Sequence, residues 1–309
     1  MGYTNQRTAY GKTLVALGHE NENVVVLDAD LGGSTMGKMF EAEFPDRHIE
    51  LSIAEANMLS VAAGLAQTGK IPFANSFAVF ATGRAFDQIR QTISIGKLNV
   101  KICGSSAGMS DFGDGATHQS VEDLAIMRAI PNMTVLCPAD ANEMVKAVRA
   151  AAAFDGPCYI RANRNDYDNV TAESDSFEIG HPTVLREGGD IVVFAIGYMN
   201  NLALAAAEEL KDELSVKVVN MSTIKPVNEA YLHSLAEDAK AIVTVEEHSV
   251  IGGLGGVINE VFSRDRIPVE MVGVNDTFGC SAHNYLELLE HFELTKEHVK
   301  RAILAAAAD

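Results

Sequence analysis

The chain has 309 residues, 47% of them hydrophobic, and a formal net charge of −18. That length allows two α/β domains, and that apolar content excludes a disordered chain. The acidic balance argues against nucleic acid or an anionic membrane as a partner, so an anionic substrate would have to be held by a few locally placed Arg, His and Ser groups.

The N-terminal stretch MGYTNQRTAYGK carries no apolar signal core, and Gln6 stands where myristoylation requires Ser or Thr. Residues 4–20 have helical spacing, and NVVVLDAD (23–30) reads as a buried strand ending in acids. A small-residue apolar helix follows over 53–67. IPFANSFAVF leads into a helix through RAFDQIRQTISIG, NVKICGS is a strand, and AGMSDFGDGATHQ is a Gly/Asp-rich loop. Next come helix VEDLAIMRAI, strand MTVLCPA, helix ANEMVKAVRAAAAF and strand PCYIRAN.

Residues 166–187 are polar and mixed and read as a connection between a first domain, 1–165, and a second, 188–309. The second unit runs strand DIVVFAIG, helix 200–214, strand SVKVVNMSTIKP, helix EAYLHSLAED, strand AIVTVEEH, a glycine-rich turn into a helix over SVIGGLGGVINEVF, strand PVEMVGV and two closing helices. Strands alternating with helices predict α/β domains, each a mostly parallel sheet covered by helices on both faces. Ligands bind at the carboxyl ends of such strands, which directs attention to loops 28–36, 103–118 and 245–256.

No apolar run reaches the ~18 residues of a membrane span. Cys103, Cys137, Cys158 and Cys280 are scattered, with no metal-ligand spacing, and read as reduced thiols of a cytoplasmic protein. Ser52-x-x-Glu55 fits a capping box, which would account for an acid at a helix start without any chemistry. His118 and Asp114 share a loop after a buried strand, where a histidine can shuttle a proton or simply bond its own backbone. Gly113-Asp114-Gly115 with Asn142 downstream has the outline of a metal–diphosphate motif, but it runs straight into Thr117-His118-Gln119 and does not end a strand. We therefore expect no metal ligand in this chain.

Four segments in order, IAEANM, SFAVFATGRAFDQIR, AG…DGATHQSVEDLAIMRAIPNMTVLCPAD and TVEEHSVIGGLGG, resemble the second half of transketolase over nearly the whole chain. That half is the pyrimidine-binding domain plus the C-terminal domain. The resemblance implies the C-terminal subunit of a split, two-chain enzyme that transfers a two-carbon ketol unit from a ketose to an aldose. Its cofactor would be thiamine diphosphate, with Mg²⁺ or Ca²⁺ held mainly by an N-terminal partner subunit in a heterotetramer.

The resemblance implies that Glu55 bonds the cofactor's pyrimidine ring. A carboxyl buried without a cationic partner would keep the proton it needs to donate there. Phe80 and Phe77 match the aromatics beside that ring, though Phe77 serves equally as core. Asp30 matches an acid near the ring's amino group. Arg84 is either close to the cofactor or part of a surface salt bridge. Asp114 and His118 match the pair that contacts ketose hydroxyls and carbonyl oxygen. Arg7, Ser34 and either Arg161 or Arg164 match positions that hold a terminal phosphate.

Ser106 departs from the resemblance, because a histidine is usual there. The loss of a potential cation either shifts the preferred sugar towards a sulfonated or branched one, or is harmless drift. Glu246, Glu247 and His248 are left outside the catalytic set. The β subunit of a 2-oxo acid dehydrogenase shares the glutamate and FDQI but lacks the DGATHQ…ED run. Deoxyxylulose-phosphate synthase is normally one long chain. A non-catalytic regulatory paralogue would be expected to lose Glu55 or His118.

Overall fold

The computed structural model describes residues 5–308. Residues 24–28, VVVLD, are buried along their whole length, as a strand covered on both faces must be, and form β1. The first sheet adds β2 (His48–Glu50), β3 (Ile71–Phe77), β4 (Lys101–Ser105), β5 (Thr134–Leu136) and β6 (Cys158–Arg161). The second contains β7 (Thr183–Arg186), β8 (Ile191–Ala195), β9 (Val216–Asn220), β11 (Ala241–Ser249) and β12 (Val269–Val274). The strand orders are β10-β5-β6-β4-β3-β1-β2, where β10 is Thr223–Lys225, and β12-β11-β8-β9-β7. All pairings are parallel except β10 with β5 and β7 with β9. The molecule thus has two domains with mostly parallel sheets and helices.

Helix boundaries follow local chemistry. Asn5 caps Gln6–Glu20 by accepting from the Thr8 N–H, and Asp140 caps Ala141–Ala153 through the Glu143 N–H. The helix at Glu55–Gln67 starts differently. Its N-cap is Ala54, with no side-chain cap bond, and Ser52 sits in the left-handed region at φ 53°. The capping box expected from Ser52 and Glu55 does not form, and Glu55 is turned to another task.

Two further segments depart from expectation. SVKVVNMSTIKP, read as one strand, is two: β9 ends at Asn220 in the second sheet, and β10 crosses to pair with β5 in the first. The connection 166–187 holds β7, which its mixed polar sequence concealed because an edge strand buries little. Buried apolar side chains run across the domain junction, joining Leu124, Met127 and Ile130 to Phe194, Ile224 and Leu254 in one cluster. That shared core fixes the second domain against the helix Asp123–Ala129, which follows the loop after β4.

Candidate active site

The carboxyl ends of β1 and β3, the start of helix 55–67 and the loop after β4 converge on a cleft of about 230 Å³. Its walls are Ala29, Asp30, Leu31, Ile53, Glu55, Phe80, Arg84 and His118. Phe80 opens a π-helical turn over Phe80–Arg84, a wide turn of the kind found at functional sites. Phe77 and Phe80 lie nearly parallel with centroids 6.0 Å apart, and the His118 ring meets Phe80 edge-on at 5.2 Å. Phe77 itself is buried behind this wall.

Glu55 is 3% exposed at the first turn of its helix. It is not without a cationic partner, contrary to the sequence expectation. The Arg84 Nη1 donates to Glu55 Oε1 and Oε2 at 3.0 and 3.2 Å, and the guanidinium also lies 4.1 Å over the Phe80 ring. Half of the Arg84 side chain is solvent-exposed, so it can swing away. Asp30 stands exposed at φ 58°, its N–H donating to Glu50 Oε1 at 2.8 Å. Thr117 Oγ1 and His118 Nδ1 are 2.9 Å apart, which leaves His118 Nε2 for other partners.

A second cluster of charge lies beside the loop. Arg7 Nη1 donates to the Ser34 carbonyl at 3.0 Å, while its buried Nε has no partner among the described residues. Arg164 is ion-paired with Asp111, a residue that no sequence signal singled out. Burial and then the neighbouring Arg164 pull the Arg7 guanidinium below its ordinary value. Burial pushes the Asp111 carboxyl up, Arg164 opposes that, and Asp114 and His118 lie near enough to bias it in opposite senses.

Two expected site residues are not at the surface. Arg161 is buried, with Nε 2.9 Å from Asp123 Oδ2 and Nη2 3.1 Å from Asp123 Oδ1 and 2.9 Å from the Glu247 carbonyl. Its cation is spent inside the fold, so of the two arginines only Arg164 can meet an anion. Ser106 is fully buried at φ 52°, its hydroxyl without a partner among the described residues, and in this conformation no substrate reaches it. Asn142 donates to the Thr171 carbonyl at 2.7 Å and takes no part in the Gly113–Gly115 segment.

The family descriptions "Transketolase, pyrimidine binding domain" and "Transketolase, C-terminal domain" match residues 3–169 and 180–299. The chain belongs to the transketolase family. It is 44% identical over 307 residues to the Methanocaldococcus jannaschii protein named "Putative transketolase C-terminal section", covering 98% of this chain and 96% of that one. It is 41% identical over 299 residues to "6-deoxy-6-sulfo-D-fructose transketolase subunit SqwH" of a Clostridium species, covering 96% and 92%. Among solved structures it resembles "Split gene transketolase, inactive beta4 tetramer", with a TM-score of 0.90, 47% identity and 99% of each chain covered. Against human transketolase it is 37% identical and spans about half of that protein's length, 48%.

Transketolase membership implies dependence on thiamine diphosphate, and the cleft suits the ring end of that group. It offers one buried carboxyl, an aromatic face and apolar walls, which match a flat heteroaromatic ring with one hydrogen-bonding edge. No helix among the described residues is long and apolar enough to cross a membrane.

Proposed function

We propose that this chain is the C-terminal subunit of a heteromeric transketolase. With an N-terminal partner it moves a two-carbon ketol unit from a ketose to an aldose. The observation that carries this reading is the convergence of Glu55, Phe80 and His118 on one cleft. Thiamine diphosphate, when bound, supplies the nucleophilic carbon that no side chain provides. Glu55 would hold the pyrimidine edge by donating to a ring nitrogen, in place of its present bond to Arg84. Phe80, backed by Phe77, would support the ring face, and Asp30 would accept from its amino group. His118 Nε2 bonds the substrate oxygen on which charge develops and moves its proton, and Asp114 accepts from ketose hydroxyls.

Arg7, Arg164 and the Ser34 segment hold the far end of the sugar. Asp111 already pairs with Arg164, and Asp166 lies near enough to Arg7 to act on its charge, so little positive charge remains for that end group. A monoanionic sulfonate suits this balance better than a dianionic phosphate, in keeping with the sulfonated sugar in the name of the Clostridium relative.

Two facts support a partner: the chain spans half of the human enzyme but nearly all of the split-gene proteins, and the split-gene tetramer built from one chain type is described as inactive. We assign the diphosphate and its Mg²⁺ or Ca²⁺ to that partner, in a cytoplasmic heterotetramer. The test is a donor panel with the assembled complex, using phosphate-, sulfonate- and hydroxyl-ended ketoses. The reading expects ketol transfer with the sulfonate donor first in kcat/KM, and a clear phosphosugar preference refutes the end-group assignment.

A further inference from the structure

The segment Glu246-Glu247-His248-Ser249 ends β11 in the second domain, away from the cofactor cleft, yet its polar groups reach into the first domain. Glu247 is buried, and its Oε1 accepts from the Met109 N–H at 2.7 Å. Its Oε2 accepts from Tyr285 Oη at 2.6 Å and from Asn163 Nδ2 at 3.2 Å, which fixes the carboxylate from behind. Met109 lies at one foot of the loop that carries Asp111, Asp114 and His118. At the other foot the Ser249 N–H donates to the Val121 carbonyl at 2.6 Å, and His248 Nε2 accepts from the Ala125 N–H at 3.3 Å. The two feet are joined to each other where the Ser120 N–H donates to the Gly108 carbonyl at 2.9 Å. Gly108 itself has φ +63°, and a Cβ there would lie 2.6 Å from Glu247 Oε1, so the loop backbone is pressed against the carboxylate.

We propose that this strand end, through Glu247 above all, is the positioning element for loop 106–121 and sets where His118 and Asp114 stand relative to the cleft. This rests on the proposed function for its catalytic meaning, while the clamp itself is a matter of geometry. Glu247 touches no substrate; it acts through the Met109 amide. A buried carboxyl suits that role by geometry, because its two oxygens are held by three donors, the Met109 N–H, Tyr285 Oη and Asn163 Nδ2, so that the acceptor facing the loop has a fixed place.

The test is hydrogen exchange by mass spectrometry on the full chain, comparing wild type with Glu247→Leu, Glu247→Gln and Gly108→Ala. Loss of the Met109 bond in Glu247→Leu should speed exchange in peptides covering 106–121 by about tenfold, with β8 and β9 unchanged. Glu247→Gln keeps a carbonyl acceptor for Met109 and should recover most of the protection. Gly108→Ala perturbs the same contact from the loop side and should reproduce the loosening, so the idea stays testable even if the leucine variant fails to fold. In the assembled complex, Glu247→Leu should lower kcat/KM for the ketose while thiamine diphosphate affinity stays within about twofold. Unchanged exchange over 106–121, or faster exchange spread evenly over the whole chain, overturns the proposal. A loop that loosens as expected in a chain whose wild-type complex transfers no ketol unit would instead leave the clamp standing and refute the proposed function.

Discussion

Arg161→Met separates an arginine that binds a sugar's anionic end from one that holds the fold. In the structure Arg161 makes two bonds to Asp123, at 2.9 and 3.1 Å, and Asp123 is completely buried. Removing the guanidinium leaves that carboxylate with the Tyr159 hydroxyl at 2.8 Å as its remaining side-chain partner. An uncompensated buried charge of this kind costs about 3–5 kcal/mol, a large part of a domain's total stability. The loss has a pH signature. Burial by itself raises the Asp123 carboxyl, but Arg161 outweighs it and holds the group below its ordinary value. Without Arg161 the carboxyl titrates higher, so a proton neutralises it under mild acid and the destabilisation shrinks there. Urea unfolding of the full chain, followed by circular dichroism at neutral and mildly acidic pH, should show both effects. The double variant Asp123→Asn/Arg161→Met should recover much of the loss, because it removes the orphaned charge. A variant Arg161→Met within about 1 kcal/mol of wild type, with only a raised KM for anionic donors, would refute this reasoning and return Arg161 to the substrate site.

Burial comes first in holding the Glu247 carboxyl at about 7 in the fold, against an ordinary 4.5, although Arg161 and Tyr285 oppose it. The folded state therefore binds this proton more tightly, and the stability it contributes is full below pH 4.5 and lost as the pH rises through 7. The Tm of wild type relative to Glu247→Gln should fall between about pH 5 and about pH 8, and a flat or rising difference contradicts it. In the assembled complex, Arg7→Ala should raise KM for an anionic donor by about tenfold with kcat little changed, since its guanidinium retains unpaired donors, and Arg164→Ala should cost less because Asp111 already occupies that cation. Equal effects of the two variants on donor KM would show that Asp111 does not discount Arg164.

Much of the architecture was legible because parallel strands buried on both faces read as continuous apolar runs, as β1 and β8 do. The segments that escaped, β2, β7 and β10, have three or four residues and lie at sheet edges or in a crossover, where little burial marks the sequence. The cleft residues Glu55, Phe80 and His118 were found through the resemblance; periodicity alone left Glu55 as a cap. What the sequence did not carry is pairing. That Arg84 grips Glu55, that Asp111 takes Arg164 and that Arg161 turns inward to Asp123 are decisions of three-dimensional packing, with partners 29, 53 and 38 residues apart. A residue's type announces its charge, and only the fold reveals whether a neighbour has already neutralised it.

A cofactor site shared between two different chains makes binding depend on both of them. That dependence is read by calorimetric titration of thiamine diphosphate with Mg²⁺ into this chain alone, and then into its mixture with the N-terminal partner. Tight binding is expected only in the mixture, and it should be lost in Glu55→Gln and in Phe80→Ala. Tight binding to this chain alone, or binding in the mixture that ignores both substitutions, would contradict it.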